Sequence, residues 1–361
     1  MQSLMRRDWR KPAGLSTSLM SLAARSIAVT LVLGVALYLG AAPVHAQSGS
    51  TQTGNAQSSA WPLKPLRIVA PFPPGGPADV QGRAIGQKLS QLLGQPVIID
   101  NRAGAGGVIG TDIVVKASPD GYTLLFTTAG ALAVAPAIAE NMPYDPARDL
   151  LPVARALIMP EVLALHPSAG GGGLRSLQAL IAYARANPRK LNYSTPGNAT
   201  VPHLAAELFA QLAGIELVHV PYRGTGPAMQ DLLAGHVQMM FVDVTVAQGP
   251  IRSGRLLGVV VGSPTRIGSV SEVPTSAEAG LPGLLVSNWT GLLAPAATPR
   301  ELVLRLNQAM NRALQDAELN KRFVSEGAQI IPTTPEEFAQ FIRAEAAKWG
   351  PVAKKAGMKW E

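Results

Sequence analysis

The chain of 361 residues carries 31 Lys and Arg against 23 Asp and Glu, a formal net charge of +8, and no cysteine. The lack of Cys excludes disulfides and thiolate metal sites. The scattered basic residues (Arg102, Arg155, Arg223, Arg252, Arg255), with no basic run interleaved with aromatics, argue against nucleic acid as the partner.

In chain order, Arg6, Arg7, Arg10, Lys11 and Arg25 precede an apolar segment at 27–40 and the run Ala41-Ala42-Pro43-Val44-His45-Ala46. That order reads as a secretory signal peptide over 1–46, cut after Ala46. The apolar segment is shorter than the about 20 residues that a membrane span needs. Residues 47–60, rich in Ser, Gln, Gly and Thr, read as a flexible leader. Residues 1–46 hold five of the basic residues and one acid, so 26 basic and 22 acidic residues remain, a net +4. A mild positive field of that kind attracts small anions.

From residue 61 strand-like and helix-like segments alternate, the pattern of sheets covered by helices. Strands are expected at 66–70, 96–100, 122–128, 190–194, 238–242 and 255–261, and helices at 78–94, 111–117, 176–187, 201–214 and 228–235. The apolar stretch 150–165, interrupted by Pro160, reads as a crossover between two lobes, and 291–294 as the return. Lobe 1 is then 61–158 with 291–361, and lobe 2 is 159–290. Thr298-Pro299-Arg300-Glu301 and Thr334-Pro335-Glu336-Glu337 both read as capping boxes that open C-terminal helices.

One phrase occurs in each half. Pro71-Phe72-Pro73-Pro74-Gly75-Gly76-Pro77-Ala78 follows a strand, and so does Pro221-Tyr222-Arg223-Gly224-Thr225-Gly226-Pro227-Ala228. In both, a Gly-rich turn leads into a helix expected to open at Pro. Such turns leave backbone N–H groups facing the space beyond the strand, where the helix dipole favours an anion. Chain reversal alone would account for either copy.

Catalytic signatures are poorly matched. In Gly104-Ala105-Gly106-Gly107-Val108-Ile109-Gly110, Ile109 stands where a dinucleotide fingerprint needs its third glycine, and a plain Gly-rich turn is favoured. There is no Gly-x-Ser-x-Gly elbow, no His-Glu-x-x-His and no Gly-Lys-Ser/Thr loop, and the histidines lack ligand spacing. The expectation is therefore no catalysis, no cofactor and no metal. What remains are turns rich in small and hydroxyl residues, where ligands of parallel α/β sheets sit. Thr128, Ser194 and Thr200 with backbone N–H groups suit a carboxylate. Asp79 is either an N-cap or a pocket acceptor, His203 either caps its helix or points into the cleft, and Tyr222 belongs to the pocket or to the core.

At these turns the chain closely resembles the periplasmic solute-binding receptors of tripartite tricarboxylate transporters, the Bug receptors, from about residue 61 to 360. The markers are Pro71-Phe72 with Gly75-Gly76-Pro77-Ala78-Asp79, Asn101-Arg102 with Gly104 to Thr111, and Pro119-Asp120-Gly121-Tyr122. They continue in Leu191-Asn192-Tyr193-Ser194 with Gly197-Asn198, Thr200 and Pro202-His203, in His219-Val220-Pro221-Tyr222-Arg223-Gly224, and in Pro274-Thr275, Glu278-Ala279-Gly280 and Lys348-Trp349-Gly350. The resemblance implies a type II-like α/β periplasmic binding protein: two lobes of parallel or mixed sheet joined by crossover strands. It implies an exported, periplasmic monomer that closes on a small carboxylate and delivers it to membrane permease subunits. A ligand sensor for a membrane signalling partner, or a secreted enzyme on the same fold, are the alternatives. The ligand loops carried over are Phe72, Pro73, Gly75, Gly76 and Asp79; Thr128, Ala129 and Gly130; Ser194, Gly197, Asn198, Thr200 and His203; Tyr222 and Gly224; and Asp243. Ala78, Ala131, Ala135 and Val242 stand where relatives often have polar groups, which implies an apolar pocket and a ligand with one carboxylate and an apolar or aromatic remainder.

Overall fold

Short apolar runs alternate with amphipathic, glycine-ended segments and give α/β folding throughout residues 61–358, the part of the chain that the computed structural model describes. The expected signal peptide and leader lie outside the described residues, as do residues 359–361. The first half runs β1 (Leu66–Ala70), α1 (Pro77–Leu93), β2 (Val97–Asn101), α2 (Val108–Val115) and β3 (Thr123–Thr127). A π-helical turn at Gly130–Val134 follows, then two single turns, α3 (Ala135–Ile138) and α4 (Pro146–Asp149), and the long β4 (Leu150–Leu165). The second half runs α5 (Leu177–Ala186), β5 (Asn192–Thr195), α6 (Val201–Ala213), β6 (Val218–Pro221), α7 (Thr225–Leu233), β7 (Met239–Asp243), α8 (Val244–Arg252) and β8 (Leu257–Val261). The chain returns through β9 (Ser287–Pro295) and ends in α9 (Arg300–Leu314), α10 (Ala317–Ser325) and α11 (Pro335–Lys355).

The sheet order is β2-β1-β3-β9-β4-β7-β5-β6, with β8 also on β4. Strands β1, β2 and β3 are parallel to one another, and so are β5, β6 and β7. The antiparallel β4 and β9 join the two groups. The stretch at 150–165 read as a crossover is one unbroken 16-residue strand. Its first part pairs with β9, from Leu150 opposite Pro295 to Pro160 opposite Ser287, and its last five residues lie between β7 and β8. Side chains alternate along it: Val162 and Ala164 join a core with Met240 and Val242, whereas Leu163 and Leu165 join another with Phe241.

Several local expectations need correction. Helix α2 opens at Val108 rather than Thr111, because a 3-10 turn at Ala105–Gly107 feeds straight into it. The repeated phrase is not repeated in detail. Pro77 is the first residue of α1, but α7 opens at Thr225, so Pro227 is its third residue. The two C-terminal capping boxes also differ. Thr334 Oγ1 accepts from the Glu337 amide at 3.2 Å and Glu337 accepts from the Thr334 amide at 2.8 Å, a complete box. Thr298 instead folds back, its amide bonded to Pro295, so Pro299 is the N-cap of α9 and the Thr298 hydroxyl is buried without a partner.

Gly291, in the middle of β9, lies directly beneath Phe338 of α11, and a Cβ there would collide with that ring and meet the Ala154 carbonyl at 3.2 Å. Gly291→Ala is therefore expected to lower stability by about 1–3 kcal/mol in urea titration. Gly249→Ala, on the exposed side of α8 with open space around it, should be neutral or stabilising by up to about 1 kcal/mol.

Candidate ligand-binding site

Because the strands of each parallel group point the same way, their carboxyl ends and the helices that follow meet in one gap. The N-terminal ends of α1 (Pro77, Ala78), α6 (Thr200, Val201, Pro202), α7 (Gly224, Thr225) and α8 (Asp243) line a cavity of about 50 Å³. Phe72, Pro73, Gly76, Thr128, Pro196, Val242 and Asn288 complete its wall. A larger cleft of about 590 Å³ adjoins it through Phe72, Pro73, Pro196 and Gly224, and is lined also by residues 103–107, Gly197, Asn198, Tyr222 and Arg223. The turns approach closely across the gap: a Cβ on Gly106 would lie 2.8 Å from the Asn198 carbonyl oxygen, and one on Gly130 would lie 3.1 Å from that of Ala199.

The donors are not the glycine amides that the sequence suggested. The Gly75 amide donates to Asp79 Oδ2 at 2.9 Å, Gly224 to the Pro196 carbonyl at 2.9 Å, Tyr222 to the Thr195 carbonyl at 3.0 Å, and Gly197 to Thr195 Oγ1 at 3.3 Å. The Gly76 amide has only a 3.5 Å bond to Pro73. These bonds shape the turns. The amides that open α1, α6 and α7, at Ala78, Asp79, Val201, His203, Thr225 and Gly226, have no acceptor one turn earlier inside their own helices. Three helix N-termini on one small cavity favour an anion there.

The named side chains sort accordingly. Phe72, Pro73, Gly76, Thr128, Thr200, Gly224 and Asp243 come together on the inner cavity, and Gly197, Asn198 and Tyr222 lie on the outer cleft. Thr128 has no hydrogen-bond partner among the described residues, whereas Thr200 Oγ1 donates to the Gly197 carbonyl at 2.8 Å. Tyr222 is half-buried and its hydroxyl donates to Asp231, which together with burial pushes its pKa to about 12. The remainder support the turns from behind. Asp79 neither caps α1 nor faces the cavity: it is the third helical residue and braces the first turn through Gly75 and Arg83 (2.8 Å). Burial alone would raise its pKa, but the bonds from Arg83, Gly75 and Asn101 win and hold it below the usual carboxylate value. Ser194 Oγ donates to the Ala228 carbonyl at 3.3 Å, and Ala129 is fully buried. Of the apolar replacements, Ala78 and Val242 line the cavity, but Ala131 and Ala135 pack with Val108 and Tyr144 in a separate small core.

His203 also turns away from the cleft. Its ring stacks on His219 at 3.9 Å between centroids, His219 stacks on Tyr193 at 4.9 Å, and the Tyr193 hydroxyl donates to Glu207. Burial lowers both histidine pKa values, to about 3 for His203, with help from His219, and to about 4 for His219.

Sequence reasoning missed Glu161. It lies directly opposite Asp243 across the β4–β7 pair, so both side chains leave the same face of the sheet, and both are almost wholly buried. Burial raises the Glu161 pKa well above the carboxylate range, and the neighbouring Asp243 charge raises it further. Asp243 is raised too by burial, tempered by the hydrogen bond from Asn288. Both carboxyls are therefore harder to ionise than free ones. An acid within the apolar run Met159-Pro160-Glu161-Val162-Leu163 was the available signal. Asn288, before Trp289 in β9, was missed as well.

The pattern of the family described as "Tripartite tricarboxylate transporter family receptor" matches residues 82–358. Protein BugT from Bordetella pertussis is 38% identical over 300 residues, 83% of this chain and 91% of BugT. Among solved structures, R. palustris Rpa4515 with adipate shares 34% identity, with a TM-score of 0.79, over 83% of this chain and 99% of that one. MatC (Rpa3494) from Rhodopseudomonas palustris with bound malate gives 34%, 0.77, 81% and 99%. These likenesses bear out the type II-like α/β periplasmic-binding-protein fold.

The histidine stack makes a prediction about acid stability. Unfolded histidine binds a proton near pH 6.5, whereas the folded stack resists protonation until about pH 4 or below, so the unfolded state holds more protons in between and stability falls as pH drops below about 6.5. His203→Phe, which keeps a ring in the stack but removes one titrating group, should reduce the loss of stability between pH 7 and pH 4.5 by about 2 kcal/mol in urea titrations at the two pH values.

Proposed function

Because the chain belongs to the tripartite tricarboxylate transporter family of receptors, we propose that it is a periplasmic receptor that captures a small carboxylate and hands it to the permease subunits of such a transporter. The observation that carries the reading is the convergence of three helix first turns and Thr128 on one cavity between the two strand groups. Main-chain N–H groups and a hydroxyl bind a carboxylate without a buried Arg, and charge-assisted bonds of this kind contribute about 1.5–3 kcal/mol each. The adipate and malate in the Rpa4515 and MatC structures are small carboxylates of the same chemical class.

On this reading residues 61–158 with 291–361 act as one lobe and residues 159–290 as the other. They close about β4 and β9, so that the turns at 104–107 and 130 of the first lobe meet the turns at 197–200 and 224 of the second. Export through the N-terminal segment places the receptor on the outer side of the membrane that holds its permease. Small residues at the meeting turns, Gly106 and Gly130 foremost, allow the approach, and a hinge of this kind links closure to ligand.

Titration calorimetry against organic acids tests the reading. At least one small carboxylate should bind with a Kd of about 1 μM and be recovered chemically unchanged by mass spectrometry. Thr128→Val should weaken that ligand about ten- to a hundredfold through loss of one hydrogen bond to a charged group. Gly130→Val should weaken it, because a side chain there meets the Ala199 carbonyl across the gap at 3.1 Å and obstructs closure. Failure of every acid to bind would overturn the reading.

A further inference from the structure

The inner cavity has two electrostatic ends. One is set by helix N-termini and suits an anion. The other is Asp243, and its surroundings are wrong for a purely structural carboxylate. Asp243 is the N-cap residue of α8, yet its side chain makes no capping bond to that helix and instead lines the cavity. An Asp at that position ordinarily bonds the first-turn amides, so the backbone has been left without the bond that its sequence offers.

Donors around the pair are scarce. Asp243 and Glu161 present four carboxyl oxygens between them. Asn288 Nδ2 reaches Asp243 Oδ2 at 3.3 Å. Glu161 Oε1, Glu161 Oε2 and Asp243 Oδ1 have no hydrogen-bond partner among the described residues. Among the described residues no Lys, Arg or His pairs with either group; Asn288 is the only other side chain acting on them. A buried charge without a partner is costly unless something supplies one. The cavity wall is where a partner can enter, because Asp243 faces it while Glu161 lies behind.

We propose that this cavity selects carboxylic acids that also carry an ammonium group, the carboxylate held at the first turns of α1, α6 and α7 and the ammonium received by Asp243 with Glu161 behind it. This rests on the receptor reading and narrows its substrate class to amino acids and related amino-carboxylates. An ammonium supplies both the missing donors and the missing positive charge. A hydroxyl supplies one donor and no charge, an alkyl end supplies neither, and a second carboxylate adds acceptors where acceptors already lack donors. Glu161 is a positioning residue: it lies opposite Asp243 on the neighbouring strand, behind that carboxyl, and leaves the cavity as the side from which a donor enters.

Calorimetry on the mature protein decides this with matched probes. These are the α-amino acids and the ω-amino acids with two to four methylenes, each measured against its deaminated acid, its hydroxy acid and the dicarboxylate of the same length. At least one amino-carboxylate should bind about tenfold or more tightly than all three counterparts, and Asp243→Asn should bring that preference to about threefold or less. If plain acids, hydroxy acids or dicarboxylates bind as tightly as the amino-carboxylates, this proposal falls while the carboxylate-receptor reading stands. If Asp243→Asn is folded by circular dichroism and keeps the preference, the proposal also falls. If no probe binds at all, both readings fall. Should the variant not fold, the wild-type comparison decides by itself.

Discussion

The arrangement depends on one strand serving two sheets. β4 gives its first eleven residues to β9 and its last five to β7 and β8. The pairing slips at two bulges, between Pro152 and Ala154 and between Arg155 and Leu157, yet it runs from Leu150 opposite Pro295 to Glu161 opposite Asp243 and so places both parallel groups at once. The carboxyl ends of β1 and β3 then open on the same space as those of β5, β6 and β7. Any helix that follows one of these strands points its N-terminus there.

That geometry determines the chemistry. Helix first turns leave amides unpaired, and four helices begin at the cavity wall. The hydrogen bonds of the turn glycines serve a different purpose. They brace the loops, as Gly75 does on Asp79 and Gly224 on Pro196, so that the helices start where they do. Against this positive environment stand two buried acids, Glu161 and Asp243. Two opposed acids on a buried strand pair are destabilising unless a proton is kept between them, and their burial raises both pKa values. The site is thus polar at two ends and apolar along Phe72, Ala78 and Val242.

Close approach is the second requirement. Gly106 adopts φ of +60°, a left-handed conformation open to glycine, and it sits where any side chain would strike the Asn198 carbonyl. Gly130 begins a π-helical turn whose backbone nearly touches Ala199. Turns this tight let backbone meet backbone across the gap, and they keep large side chains out of it.

Much of the architecture was legible in the residues themselves. Strand and helix periods follow from local sequence, so β1, α1, β5, α6 and the crossover nature of 150–165 could be read directly, as could the family from its Gly-Pro turns and their spacing. The capping box at Thr334 was legible because every atom it needs lies within four residues. Its twin at Thr298 was not, since a bond to Pro295 redirects the chain first. Roles at the site depended on partners far away in sequence. Ser194 and His203 carry the right chemistry in the right turns, yet Ala228 and His219 draw them away from the cavity. Glu161 and Asp243 lie 82 positions apart, and only strand register brings them face to face. Local sequence thus determined the elements and the location of the pocket; long-range pairing decided which of its polar groups remain unsatisfied and face the cavity.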